Sequence, residues 1–340
     1  MASTTVSTPN YARRIKWLGF AIGLFVIAYT AAWFLGAREA EKRLDIELAK
    51  VNAGGSAGDT KITCDNREIR GYPFRFGLFC DAAAFVDDAK GISMSSGALR
   101  TAAQVYNPWH AIAELDGPAK VAVRGAPAIT ANWSLLHSSI RVDQPVPERV
   151  SVEANDLEIA IDKSDAGPVK ALNASYAAAH MRTEDKDISF AGEVDGLVID
   201  PAITPNRTIP EFAASYDVVV KDGVAIAAAK PKDIKAALRG QAGELRNVLL
   251  IFKDGGAVTV TGPLKLSAEG LLDGDVKLTF TDAAKLGVAL GQAIPEAAKI
   301  ITNTLTAASL SGGKEPSLTL TIRGGKVSAG FFPIATIPPL

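Results

Sequence analysis

Residues 17–35, WLGFAIGLFVIAYTAAWFL, carry no charged side chain. As a helix rising about 1.5 Å per residue, this run is about 28 Å long, close to the thickness of a bilayer's hydrocarbon core. Trp17 and Trp33 stand near its two ends, where indole rings favour the membrane–water boundary. Arg13, Arg14 and Lys16 precede it, and Arg38, Lys42 and Arg43 follow among Glu39 and Glu41. Lys and Arg alone therefore leave the orientation nearly tied. The short leader and the long chain beyond favour a cytoplasmic N-terminus. A buried core helix rarely goes so far without a charge. A cleaved signal peptide would have a shorter apolar run and small residues at its cleavage site, yet FLGA puts Leu35 where one is needed. The expectation is an uncleaved anchor over 17–37 behind a leader at 1–16, exporting everything downstream.

The next stretch, AREAEKRLDIELAKV, is rich in helix formers, with Leu44, Leu48 and Val51 at helical spacing. It should extend the membrane helix outward until the glycines of NAGGSAGD (52–59) break it. Residues 38–59 thus read as a helical extension and linker, and 60–340 as an exported domain. Hydrophobic residues at 48% of the chain support a packed core. A net charge of −1 and 7% aromatics argue against nucleic acid as a partner.

The chain's two cysteines lie together in CDNREIRGYPFRFGLFCD, at Cys64 and Cys80. Outside the cytoplasm two cysteines normally pair. They are symmetric about Tyr72, so a hairpin turning at Gly71-Tyr72-Pro73 would set Arg70 against Phe74, Glu68 against Phe76 and Cys64 against Cys80. Directly opposed strand positions are close enough for a disulfide. A zinc site would need further ligands at suitable spacing, and His110, His137 and His180 offer none. A redox pair would sit closer in sequence. The segment reads as a stapled hairpin. Its Gly71, Tyr72, Pro73, Phe74, Arg75 and Phe76 form the most distinctive motif of the chain, and Arg67, Arg70 and Arg75 lie near the membrane or pair with local carboxylates.

With its basic leader, single span and NREIRGYPFRFGLFCD, the chain resembles the envelope proteins of the domain of unknown function 2125 family. AAQVYNPWHAIAELDGPA (102–119) and the closing GGKVSAGFFPIATIPPL carry the same resemblance. That family has no assigned activity, so the resemblance implies a location and a shape. In general pattern the chain is also similar to AsmA-like envelope proteins, which implies a long curved sheet with a lipid-accommodating groove.

From residue 60 the pattern is mostly that of strands. VSVEA and LEIAID alternate apolar and polar residues, with Asn155-Asp156 reversing the phase as a bulge or tight turn would. YDVVVKDGVAIA (216–227) reads as two strands about Lys-Asp-Gly. Val258 and Val260, Leu264 and Leu266, and Val276, Leu278 and Phe280 each keep one parity. Helices are expected at 231–240 and 282–305, the second broken or restarted by Pro295. The fold class is mainly β (α+β): an N-terminal transmembrane helix, then a large curved antiparallel sheet with a few packed helices. The prolines at 205–212 mark a conceivable subdivision.

No nucleotide-loop, metalloprotease or dinucleotide fingerprint is present, and no cofactor is implied. The expectation is a non-enzymatic, single-pass protein of the bacterial inner membrane with a periplasmic domain. It would contact membrane lipids and accommodate lipid or another hydrophobic ligand in a sheet groove. The alternative is an envelope scaffold that binds another protein.

Overall fold

The computed structural model describes residues 11–53, 60–163, 167–205, 207–231, 233–310 and 316–340. Most of the leader at 1–16 and of the glycine linker at 52–59 lies outside them. The apolar run and its extension form one continuous helix, α1 (Tyr11–Asn52). It is long and apolar enough to cross a membrane, and its apolar stretch is almost wholly unburied by protein.

Among the described residues, twenty strand segments then build one open, curved antiparallel sheet. Several segments are halves of a single bent strand. Ala83 opposes Ser96 on one side of a break and Arg75 opposes Gln104 on the other, so the register carries through unchanged. With Thr60–Asp65 joined to Glu68–Arg70, Arg75–Cys80 to Ala82–Asp87, and so on to Leu135–Arg141, every pairing links strands consecutive in sequence. The architecture is a plain meander.

The breaks line up across neighbouring strands and form a crease. Backbone bonds bridge it: Asp81 N–H to Asp65 O (2.9 Å), Gly97 N–H to Asp116 O (3.0 Å), and Ser134 N–H to Asn155 O (3.0 Å). Residues able to take positive φ occupy it, including Asn66, Asp156 and Gly196. Such bulges bend a strand while leaving its polar groups paired. The phase reversal at Asn155-Asp156 is one of them, inside the single strand Arg149–Lys163.

At the C-terminal side, α4 (Ala283–Ala293) and α5 (Ala298–Leu310) lie on the sheet. Asp282 caps α4 by accepting from the Lys285 N–H. Pro295 ends that helix and opens a short 3₁₀ turn before α5, as its missing donor requires. Leu286, fully buried, joins Phe252, Phe280, Ala289 and Leu305 in the main core cluster. A second cluster gathers Val276, Ile322 and Val327. Val276, Leu278 and Phe280 thus share one face, and Leu278 packs against both clusters.

One segment departs from its sequence pattern. GVAIAA forms a short helix, α2 (Gly223–Ala228), where a strand was expected. Gly223 lies so close to Ile188 that a Cβ would sit 3.0 Å from that side chain, and the alanines that follow tolerate a helix well. The candidate at 231–240 shortens to α3 (Ile234–Leu238), capped by Asp233.

Candidate functional site

The GYPFRF motif is held against α1. Tyr29 Oη donates to the Pro73 carbonyl at 2.6 Å, Thr30 and Tyr72 hydroxyls bond at 2.7 Å, and Trp33 Nε1 donates to the Arg75 carbonyl at 3.1 Å. Trp33 stacks flat on Phe76 with centroids 5.1 Å apart, and Tyr72 stacks on Phe34. Trp33, expected at the membrane–water boundary, is therefore covered by the hairpin and only 6% exposed. Trp17 is exposed near the other end of the run, packed edge-on to Phe20, and Arg13, Arg14 and Lys16 are exposed beside it.

The hairpin register differs from the symmetric expectation. Arg70 opposes Gly77 and Glu68 opposes Phe79, while Cys64 opposes Ala83. The loop is longer than Gly71-Tyr72-Pro73, closing with Arg75 N–H to Gly71 O at 2.9 Å, because its aromatic tip reaches over to α1. Cys64 and Cys80 still form a disulfide, with Cα atoms 5.2 Å apart. The kink at Asn66 and Asp81 brings together two positions that a straight ladder would hold apart. Arg67 pairs with Asp45 of α1, and Arg70 pairs with Glu68 and lies over the Phe79 ring.

Directly opposed residues share a sheet face, and the register makes one face apolar from strand to strand. One line runs Phe76, Ala103, Ala111, Ile140, Val150, Met181, Phe190, Val218, Leu245. A second runs Cys80, Leu99, Leu115, Leu136, Ala154, Ala177, Val194, Ala214, Leu250, Val258, Phe280. Beyond the crease a third runs Ile62, Phe85, Met94, Val121, Ile129, Ile161, Val169.

The second and third lines meet around a cavity of about 310 Å³, at the lower end of the range of ligand pockets. Cys80, Leu99 and Leu115 line it from one limb of the crease, and Ile62, Phe85, Met94 and Val121 from the other. Leu44 and Leu48 of α1 complete the wall. Those leucines stood out in the sequence only as helical periodicity. At the far side of the sheet the second line passes into the core beneath α4 and α5. Between these covered ends the face is open, with Val152, Phe190 and Tyr216 each more than a third exposed.

The opposite face is polar. Arg100 grips Asp116 at 2.8 Å through Nη1 and also reaches Glu114, while His137 meets Glu153 at 3.2 Å. The Arg100 hydrogen bonds hold the Asp116 carboxyl below the ordinary carboxylate range. Arg246 and Ser189 do the same for Glu184. Burial first, then the Glu153 charge, pushes the Tyr176 phenol up. A polar hollow of about 470 Å³ on this face contains His180, whose Nδ1 lies 3.0 Å from Ser151 Oγ. The two are directly opposed in register, which suffices to explain the contact. Among the described residues no carboxylate hydrogen-bonds His180 to orient it as a general base. Nor, among them, do three or more His, Cys, Asp or Glu residues gather as metal ligands would.

No curated protein and no solved structure matches the chain significantly. Over residues 33–338, from the docked tryptophan to the last strand and beyond, the chain matches the family described as uncharacterized protein conserved in bacteria (DUF2125), and it belongs to that family.

Proposed function

We propose that the protein is anchored in the bacterial inner membrane by α1, with its sheet in the periplasm, and accommodates lipid or another hydrophobic ligand along the apolar face. The crease cavity carries this reading: two limbs of one sheet and the outer part of α1 present apolar side chains to a single space. A disulfide beside that space favours an oxidising compartment. With the disulfide-bonded sheet on the oxidising side, the N-terminus of α1 lies on the cytoplasmic side. The line of apolar residues starting at Phe76, which stacks on Trp33, gives the face a continuous path from the membrane helix outward.

The test is to purify the full chain in mild detergent and extract what stays bound, with photo-crosslinking from Leu99 to locate it. A stoichiometric lipid crosslinked at Leu99 is the expected result. Lipid no more abundant than on an unrelated single-span protein, with no adduct at Leu99, would overturn the reading.

The scaffold alternative draws on a separate observation. The last strand, Phe332–Thr336, pairs on one side with Lys326–Ala329 and is exposed along its whole length, with Phe331 and Phe332 in solvent. An edge of this kind can receive a strand from another protein. A discrete protein adduct from a photo-crosslinker at Phe332 would favour it.

A further inference from the structure

We infer that the end of the sheet bearing the GYPFRF tip is itself seated in the bilayer surface, so that the domain docks on the membrane as well as being tethered to it. The inference rests on α1 crossing the bilayer. Tyr29 and Thr30 lie within the charge-free run, and Tyr29 is six residues inside Leu35, about 9 Å at helical rise. Their bonds to the Pro73 carbonyl and the Tyr72 hydroxyl fix the hairpin tip at the same depth. A tip held there cannot stay in bulk water while the helix stays in lipid.

The neighbouring turns have the chemistry this position requires. Val105 N–H donates to the Phe74 carbonyl, and Val142 N–H to the Trp109 carbonyl, tying three successive turns at this end of the meander together. Their side chains are large and bare: Phe74 is 63% exposed, Tyr106 74% and Trp109 65%. Exposed Trp and Tyr are costly in water and favoured at the membrane interface. One step up the strands, His110, Arg141, Arg149 and Arg182 stand directly opposed in sequence across four strands. The three arginines of that row place cationic side chains where the headgroups of anionic lipids would lie, while the aromatic tips reach below them. The occupant is therefore the outer surface of the same bilayer that α1 crosses, anionic phospholipid included.

Single nitroxide labels in the full chain, reconstituted in phosphatidylethanolamine–phosphatidylglycerol vesicles, test this directly. With Cys64 and Cys80 oxidised, a thiol introduced by Phe74→Cys or Trp109→Cys is the one that takes the label. Ile22→Cys reports the helix in lipid, and Ala126→Cys reports the opposite end of the sheet. None of the four side chains is buried by the protein, so folding is spared. Collision with oxygen relative to a water-soluble nickel chelate should be several-fold higher at Phe74 and Trp109 than at Ala126, and close to that at Ile22. An Ile22 label in lipid with Phe74 and Trp109 labels matching Ala126 would overturn the docking and leave the anchor standing. An Ile22 label in water would overturn both.

Discussion

Trp33 and Phe76 couple α1 to the first hairpin through stacked rings. Their rings are parallel within 2°, and Tyr72 meets Trp33 edge-on. An aromatic pair of this kind adds about 0.5–1.5 kcal/mol beyond the area it buries. A double-mutant cycle on Trp33→Leu and Phe76→Leu, read by denaturant unfolding in detergent, should return a coupling of about 1 kcal/mol. A coupling near zero would mean that the hairpin does not hold to α1 in solution. Asp116 and Glu184 give the polar face a distinct pH signature. Each carboxyl is held below its ordinary value, first by hydrogen bonds from Arg100 and Arg246 respectively. The folded pKa is thus lower than the unfolded one. Their stabilisation is complete above the unfolded carboxylate range of about 4 and disappears as pH falls through the folded values. Unfolding midpoints should therefore be flat from pH 7 to about pH 5 and fall below that. Both side chains are more than a third exposed, so salt should reduce the effect. The Asp116→Asn variant should lose less on acidification than the parent.

The hairpin and the helical pair respond to different perturbations. The Cys64–Cys80 bond spans 16 residues of chain, and closing a loop of about 15 is worth about 3 kcal/mol in the unfolded-chain entropy model. Cys64→Ser with Cys80→Ser should lower unfolding free energy by about that much. Mild reductant should do the same to the parent and nothing to the variant. In α4, Leu286→Ala removes a side chain with no exposure from between Phe280 and Leu305, and about 3 kcal/mol should be lost by chemical denaturation. The α4–α5 pair was plain in the sequence because its apolar stripe and Pro295 point to the same answer. The long apolar helix was equally legible, since nineteen or so uncharged residues leave few alternatives. The hairpin register was not. Symmetry about Tyr72 assumed that the turn serves only the two strands it joins, whereas Tyr72, Pro73 and Phe74 are drawn out by α1. The polar hydroxyls of Tyr29 and Thr30 inside an apolar run were the available signal of that docking. GVAIAA failed as a strand for a similar reason: Gly223 packs closely against Ile188 of a distant strand, a contact that a local pattern cannot report.

Across the whole molecule, the property that matters is how the apolar positions of separate strands line up. Alternation within a strand says which residues share a face, but each crease residue reverses the phase, and the length of each turn sets the register to the next strand. Leu99, Leu115 and Leu136 are ordinary apolar residues in sequence and become one line when the pairing is known. That line would be of little use if the sheet were flat. The crease turns Ile62, Phe85 and Met94 toward the same space and makes a groove of two half-apolar limbs. A buried guanidinium in such a space lacks partners and is strongly disfavoured unless water or lipid headgroups follow it in. Leu115→Arg should therefore reduce co-purifying lipid several-fold, while the sheet keeps its circular dichroism and its disulfide. Glu114→Arg, one residue away and pointing to the other face, supplies the same guanidinium without entering the groove. Lipid lost in the Leu115 variant and retained in the Glu114 variant would tie binding to the crease. Equal lipid in both would remove the crease as its site, whatever the detergent extract contains.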